Sequence, residues 1–480
     1  MKKYAFFLNL PILLVIVMLT PLFIASCDDE EDYTTSPRVT LQFSADTIRF
    51  DTVFTSIGSS TMLFKVYNPS DESLLIPSVG LAGKGSTGFR VNVDGMTGYT
   101  FNNVELRAGD SLFVFVEVTV DPHGQDTPFL VQDSLVFNLA SGLRQQVLFE
   151  AVGQDMIPLY GPLFSRDTTL TGHRPYVIYD SLVVAEGATL RLTEGTRLYF
   201  HDGAFCRVAG TLHAEGSRQR PVVFRGDRLD RMFSYLPYDR LDSQWEGITI
   251  QATSFDNYLN YVDIHSGNYG IVCDSSDLSR DKLTIENSVI HNVAGDALRG
   301  TNCRIWVGNT QLTNAGGHTA NVCGGDVQFF FSTLANFYPW DLRGAALCIS
   351  NRGVALERAD FRSCLITGYS SNELMVVRDT VAAMPLNYHF DHCLLNIPSD
   401  SISNERYVEV IPDSVEAEVS RIAHFPKIDT DIFYYDFSLD SLSTARGRGN
   451  IEDARLYYPT DRNGRSRLID EAPDAGAYEY

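Results

Sequence analysis

A spaced apolar repeat constrains this chain more than any other feature. Aligning on Ile264, Ile290, Leu312, Leu334, Leu365 and Leu394 gives spacings of 26, 22, 22, 31 and 29 residues. A period of about 20–50 residues is that of a solenoid, in which each coil buries its face only against its neighbours. Two positions beyond the anchors stand Ser266, Asn292, Asn314, Asn336, Thr367 and Asn396. Asparagine tolerates the left-handed backbone of a sharp corner, and stacked amides hydrogen-bond from coil to coil, so an asparagine ladder is expected there. Upstream, Gly187, Gly195, Gly203, Gly210, Gly216 and Gly226 punctuate short alternations such as Leu190/Leu192, Leu198/Phe200 and Val222/Phe224. These features predict a right-handed parallel β-helix over residues 168–400, continued by C-terminal coils and a cap over 401–480.

The N-terminal part has a different texture. Ser111 to Val120 alternates, with Leu112, Val114, Val116, Val118 and Val120 on one face. Further strands are expected at Val39–Phe43, Met62–Tyr67, Phe89–Val93, Ser134–Leu139 and Gln145–Val152, separated by turn clusters such as Asn68-Pro69-Ser70-Asp71. This spacing predicts two packed sheets, an immunoglobulin-like β-sandwich over 39–154, with 155–167 as a linker. The chain is therefore read as all-β, a sandwich followed by a solenoid.

Residues 1–26 read as a lipoprotein signal peptide. Lys2 and Lys3 precede an apolar run from Tyr4 to Ile24, and Ile24-Ala25-Ser26-Cys27 supplies a lipobox. Lipidation of Cys27 would fix the protein to a membrane, since two or more acyl chains give stable anchoring. Residues 27–38 form a tether whose run Asp28-Asp29-Glu30-Glu31-Asp32 resembles the export signal of surface lipoproteins of the Bacteroidetes. The resemblance implies an outer-membrane address facing the cell surface, with a periplasm-facing position as the alternative. Losing the leader takes the net charge from −22 to −24, which disfavours nucleic acid and anionic surfaces as partners.

Other resemblances cover most of the remaining chain. "FDTVFTSIGSSTMLFKVYNPSDESLLI" with "AGDSLFVFVEVTVDP" resembles the immunoglobulin-like modules of abnormal-spindle and Hydin proteins, which implies a spacer or interaction module. "VAEGATLRLTEGTRLYFHDGAFCRVAGTLHAEGSRQRPVVF" and "QWEGITIQATSFDNYLNYVDI" are similar to β-helix lipoproteins of the Bacteroidetes. The closing Asp474, Gly476, Ala477, Tyr478 and Glu479 resemble the end of choice-of-anchor Q domains, which implies a C-terminal cap; "SLSTARGRG" departs from that pattern upstream.

Cysteine usage points to packing. Cys206, Cys273, Cys303, Cys323, Cys348, Cys364 and Cys393 are odd in number and contain no CxxC pair, so neither a disulfide framework nor a structural zinc site is supported. Cys273, Cys303, Cys323 and Cys348 follow the anchors by nine to fourteen residues and are expected to stack inward.

Two constellations carry possible chemistry. If Val262 and Ile264 point inward, Asp263 and His265 point out and His291 stacks on His265, with Thr313 beyond, since strand neighbours lie about 4.8 Å apart. A histidine poised by a carboxylate can act as a base, although an exposed polar ladder is the simpler account. The second is the charged insertion Gly226 to Gly247, with Asp227, Arg228, Tyr235, Tyr238, Asp239, Arg240 and Trp245 as candidate ligand-binding residues. Arginine–carboxylate pairs orient sugar hydroxyls and aromatic faces stack on sugar rings; a lateral flap with internal Arg–Asp pairing is the plainer alternative. His389 and His392 face opposite sides of a strand, and Asp461-Arg462-Asn463-Gly464 reads as a turn, so no metal site is expected at either.

No nucleophile elbow, Walker loop, zincin motif or dinucleotide fingerprint occurs. The expected function is a lipid-anchored envelope protein whose β-helix is a non-catalytic scaffold for glycan or for an envelope protein, without a cofactor. The alternative is a polysaccharide lyase or glycoside hydrolase, with calcium if a lyase.

Overall fold

The computed structural model describes residues 32–340, 343–381, 383–402, 405–413, 421–469 and 471–480. The leader, Cys27 and nearly all of the acidic run lie outside the described residues. No helix among the described residues is long and apolar enough to cross a membrane. Two compact units divide the described residues: those at 32–49, 58–119 and 131–151 form one, and those at 50–57, 120–130 and from 152 onward the other.

The N-terminal region is a β-sandwich of two five-stranded sheets. One runs Gln42–Phe43, Met62–Tyr67, Ser111–Val118, Phe89–Val93, Met96–Gly98; the other runs Thr47–Phe54, Arg144–Gln154, Phe129–Asn138, Leu74–Leu81, Thr100–Leu106. Alternation decides the faces: Leu112, Val114, Val116 and Val118 are buried, while Phe113 and Phe115 stand exposed.

The remainder is a right-handed parallel β-helix. Three all-parallel sheets of 11, 9 and 10 strands run along it; nine coils each give one strand to every sheet, and the strands beyond them extend only the first and third. The first sheet begins at Ile157–Tyr160, which pairs with Tyr176–Tyr179. Residues 155–167 are thus not a linker: the first coil starts inside them, and its largely exposed strands leave no apolar signature. In the first sheet, Leu198, Phe224, Ile264, Ile290, Leu312, Leu334, Ile366 and Leu395 form one inward column. Leu334 pairs with Ile366 and not Leu365, and Ile366 with Leu395 and not Leu394. The apolar alignment slips by one residue because both faces are buried here. Leu365 and Leu394 point outward, under Phe425, Phe437 and Leu439.

The corner ladder also sits elsewhere than expected. Ser266, Asn292 and Asn314 do take positive φ, and among these positions one amide-to-amide bond links neighbouring coils, Asn314 Nδ2 to Asn292 Oδ1 at 3.3 Å. Asn336 and Asn396 donate to backbone carbonyls instead. A longer series occupies the preceding corner, where Tyr261, Asn287, Asn309, Phe331, Ser363 and His392 all have φ between 43° and 54°. There Asn287 donates to Asn260 Oδ1 (2.9 Å) and Asn309 to Asn287 Oδ1 (3.1 Å). Among the described residues the seven cysteines are free and, except for half-buried Cys323, buried; burial pushes the Cys206 thiol up to about 12. They do not form one column, since Cys273 pairs with Gly300, and Cys323 with Thr301.

Buried polar hubs tie coil to coil. Asn257 accepts from Leu212 N (2.8 Å) and donates to Ser254 Oγ (2.9 Å) and Lys282 O (2.8 Å). Asn257→Ala leaves the buried Leu212 N–H without its side-chain acceptor and removes one of the two bonds to Lys282 O, and should lower stability by about 1–3 kcal/mol in denaturant titration. A loss below about 0.5 kcal/mol, the level of a neutral surface change, would contradict this.

Coils continue to Tyr407–Val408 and Ile411–Pro412. Residues 421–480 then run back along the side of the solenoid, so the closing motif is a lateral clasp and not an end cap. Ala477 N donates to Thr333 Oγ1 (3.0 Å), Gly476 N to Ser363 O (2.8 Å), and Tyr478 Oη to Gln311 Oε1 (2.6 Å). The reason is the apolar outer face at Ala335, Leu365 and Leu394, which needs cover. Gly308 is required where the clasp approaches: an added Cβ would lie 1.7 Å from Tyr458 Oη.

Candidate functional site

Strand alternation puts Asp263 and His265 on the outer side of Val262–His265, and parallel pairing sets His291 in register with His265 one coil on. The two rings stack with centroids 4.7 Å apart at 26°. His265 Nδ1 lies 2.9 Å from Asp263 Oδ1, and His291 Nε2 lies 3.2 Å from the same oxygen. Burial alone would push His265 down. The charges of Asp263 and Asp239 and their hydrogen bonds outweigh it, raising the imidazole to about 9. Burial would raise Asp263, but the two histidines hold it well below the usual carboxylate range.

The insertion meets this ladder directly. Arg231–Phe233 and Leu236–Pro237 form a small antiparallel hairpin, and a 3-10 turn over Tyr238–Arg240 delivers Asp239 to His265, with Oδ1 3.1 Å from Nε2. Arg225 ion-pairs with the same carboxylate. The two constellations read separately in the sequence are one cluster.

The other insertion residues have distinct places. Asp227 bonds His201 Nδ1 (2.7 Å). Arg228 makes a bidentate pair with Asp230 (2.7 Å for both bonds) and lies over the Tyr238 ring at 3.9 Å. Tyr235 is exposed at the hairpin tip, stacked on Phe233. Arg240 donates to Ile432 O (2.8 Å) and lies 5.0 Å from the Tyr434 ring centre. Trp245 offers no face to a ligand. It is 1% exposed, stacked on Phe200 at 4.3 Å, with Nε1 donating to His265 O at 2.8 Å. A ring following the hairpin gains most by entering the core, provided its N–H finds an acceptor.

Beside the cluster opens a pocket of about 240 Å³. Its floor is the outer face of the first sheet, with His291, Asn292, Gln311, Thr313 and Asn314; Asp239 and Arg240 line it with the aromatic residues Phe433, Tyr434 and Tyr435. Gln311 Nε2 donates to Thr313 Oγ1 at 3.0 Å, continuing the polar ladder beyond His291. Sequence reasoning missed Arg225, Gln311 and the aromatic wall. The run Ile432-Phe433-Tyr434-Tyr435-Asp436-Phe437 was the available signal, but it stands far along the chain from the floor it faces.

No family model matches the sequence. No curated protein matches it either. Solved structures overlap parts of the chain. A family 123 glycoside hydrolase from Clostridium perfringens, described for glycolipid glycan hydrolysis, aligns at 4% identity and a TM-score of 0.19, over 25% of this chain and 30% of that enzyme. The chain therefore spans under a third of that protein. The ASH/PapD-like domain 7 of human CEP192 aligns at 14% identity and 0.17, over 26% of this chain and 91% of that domain. The catalytic unit of a GH87 α-1,3-glucanase from Streptomyces thermodiastaticus aligns at 10% identity and 0.22, over 70% and 78% of the two chains. No activity is carried across from overlaps of this size.

Proposed function

We propose that this chain is a lipid-anchored envelope protein, held through Cys27 at the outer membrane and displayed at the cell surface, whose β-helix binds glycan without cleaving it. The pocket carries the reading: a floor of laddered hydroxyl and amide groups faces a wall of tyrosine and phenylalanine, with Arg240 beside Tyr434. Sugars present hydroxyls to hydrogen-bonding side chains and C–H faces to aromatic rings, and this lining offers both. A hydrolase needs two carboxylates on either side of the scissile bond. Asp239 and Asp263 instead sit on opposite nitrogens of one buried imidazole, which supports binding over cleavage.

The test is calorimetric titration of the full chain in detergent micelles against a panel of polysaccharides, with parallel detection of new chain ends. Saturable binding without new ends is expected, and Tyr434→Ala should weaken it about threefold to tenfold, the loss of about 0.5–1.5 kcal/mol of ring contact. New reducing or unsaturated ends would replace this reading with the enzymatic one. An absence of binding across the panel would turn attention to a protein partner.

A further inference from the structure

Three ligand groups from neighbouring coils converge beside the pocket, one of them, His291, forming part of its floor. Asp263, His265 and His291 each offer one ligand atom within 4.8 Å of the other two, and Asp263 Oδ1 is 2.9 Å from His265 Nδ1 and 3.2 Å from His291 Nε2. A tetrahedral ion about 2.0–2.1 Å from its ligands sets donor atoms about 3.3 Å apart. The oxygen–nitrogen separations are already close to that value.

A second observation concerns the far side of His265. Its Nε2 faces Asp239 Oδ1 at 3.1 Å. Metal-bound histidines characteristically turn their other nitrogen to a carboxylate, which fixes tautomer and ring orientation. The backbone beneath is fixed too, since Trp245 Nε1 holds His265 O. The half-exposed ligands are Asp263 and His291, with side chains 29% and 25% accessible.

We infer that Asp263, His265 and His291 bind a divalent transition-metal ion of the zinc type, with Asp239 orienting His265. Two imidazoles and one carboxylate suit zinc and its neighbours, whereas calcium and magnesium take oxygen ligands. This goes beyond the glycan reading and does not rest on it, because the ion is titrated alone.

The experiment titrates chelator-stripped full chain with Zn(II) by calorimetry and with Co(II) by visible absorption. One equivalent is expected, with a dissociation constant of about a micromolar or tighter. Asp263→Asn and His291→Gln should each weaken it at least tenfold. Asp239→Asn should weaken it about tenfold to a hundredfold with the stoichiometry kept. His389→Gln, on a strand of the third sheet, should leave it unchanged. Zinc should also raise the thermal midpoint of the parent protein and not of His291→Gln. Circular dichroism checks each variant's fold, and if Asp263→Asn does not fold, half-exposed His291→Gln decides. Zinc held no tighter than about millimolar, several equivalent weak sites, or unchanged affinity in a folded His291→Gln would overturn the inference.

Discussion

Trp245→Ala should lower stability by about 3–5 kcal/mol, the usual range for deleting a large buried aromatic side chain, and should also abolish most of the pocket's affinity. The ring is stacked on Phe200 inside the solenoid core, and its N–H satisfies the carbonyl of His265. Removing it leaves a cavity and an unpaired buried acceptor together. It also loosens the segment that carries Asp239 and Arg240 to the pocket, because the ring's stacking on Phe200 and its bond to His265 O fix where that segment re-enters the solenoid. Denaturant unfolding followed by circular dichroism measures the first effect. Hydrogen exchange at 238–250 and 263–268, with glycan titration, measures the second. Tyr235→Ala, at the exposed tip, should change neither. If Trp245→Ala lowers stability while pocket affinity stays intact, the insertion is only a flap.

The second large effect is at Arg467, whose side chain is fully buried where the asparagine corner ends. Nη2 donates to Asn309 Oδ1 (3.0 Å) and Gly476 O (2.9 Å), and Nη1 to Glu479 Oε1 (2.6 Å) and Asp474 O (3.2 Å); the guanidinium lies 4.2 Å from the Phe331 ring centre. Arg467→Met strands a buried carboxylate and should cost about 3–5 kcal/mol. Adding Glu479→Gln should restore part of this, since the amide oxygen still accepts from Asp474 N. The deficit should depend on pH in a fixed direction. Burial pushes Glu479 up to about 7 from an ordinary 4.5, partly offset by Arg467. A carboxyl with a raised folded pKa contributes stability below about pH 4.5 and loses it as pH rises through 7. Without Arg467 its pKa climbs further, so the variant's deficit should grow from pH 5 to pH 8. A deficit that is flat over this range, or shrinks, would contradict the argument.

What the sequence revealed follows from what burial constrains. Ile264, Ile290, Leu312 and Leu334 keep their register because each has at least one polar outward neighbour, among them Asp263, His265, His291, Gln311, Thr313 and Thr333, so period-2 alternation has one solution. At Leu365-Ile366 and Leu394-Leu395 both faces are apolar, and alignment on hydrophobicity cannot choose between them; the clasp that makes the outer face apolar comes from residues 425–478. Ile48, Phe50 and Leu74, Ile76 are buried in sandwich strands that the sequence reading left out, although their alternation is regular. At the site, Asp263, His265 and His291 are placed together by alternation and strand spacing alone. Asp239 reaches His265 through a hairpin, and Tyr434 reaches the pocket through a segment beyond the last coil. No periodicity dictates the course of either.

The lateral clasp has a consequence for the chain while it is being made. The residues that cover Ala335, Leu365 and Leu394 follow the last coil in the chain, so every coil can be complete while this apolar strip is still bare. Until Tyr478 and Phe437 arrive, a nascent chain presents a sticky flank as well as an open sheet edge. Truncation after the final coil would leave that flank permanently uncovered, and aggregation of such a product would follow from its surface alone, with the solenoid intact.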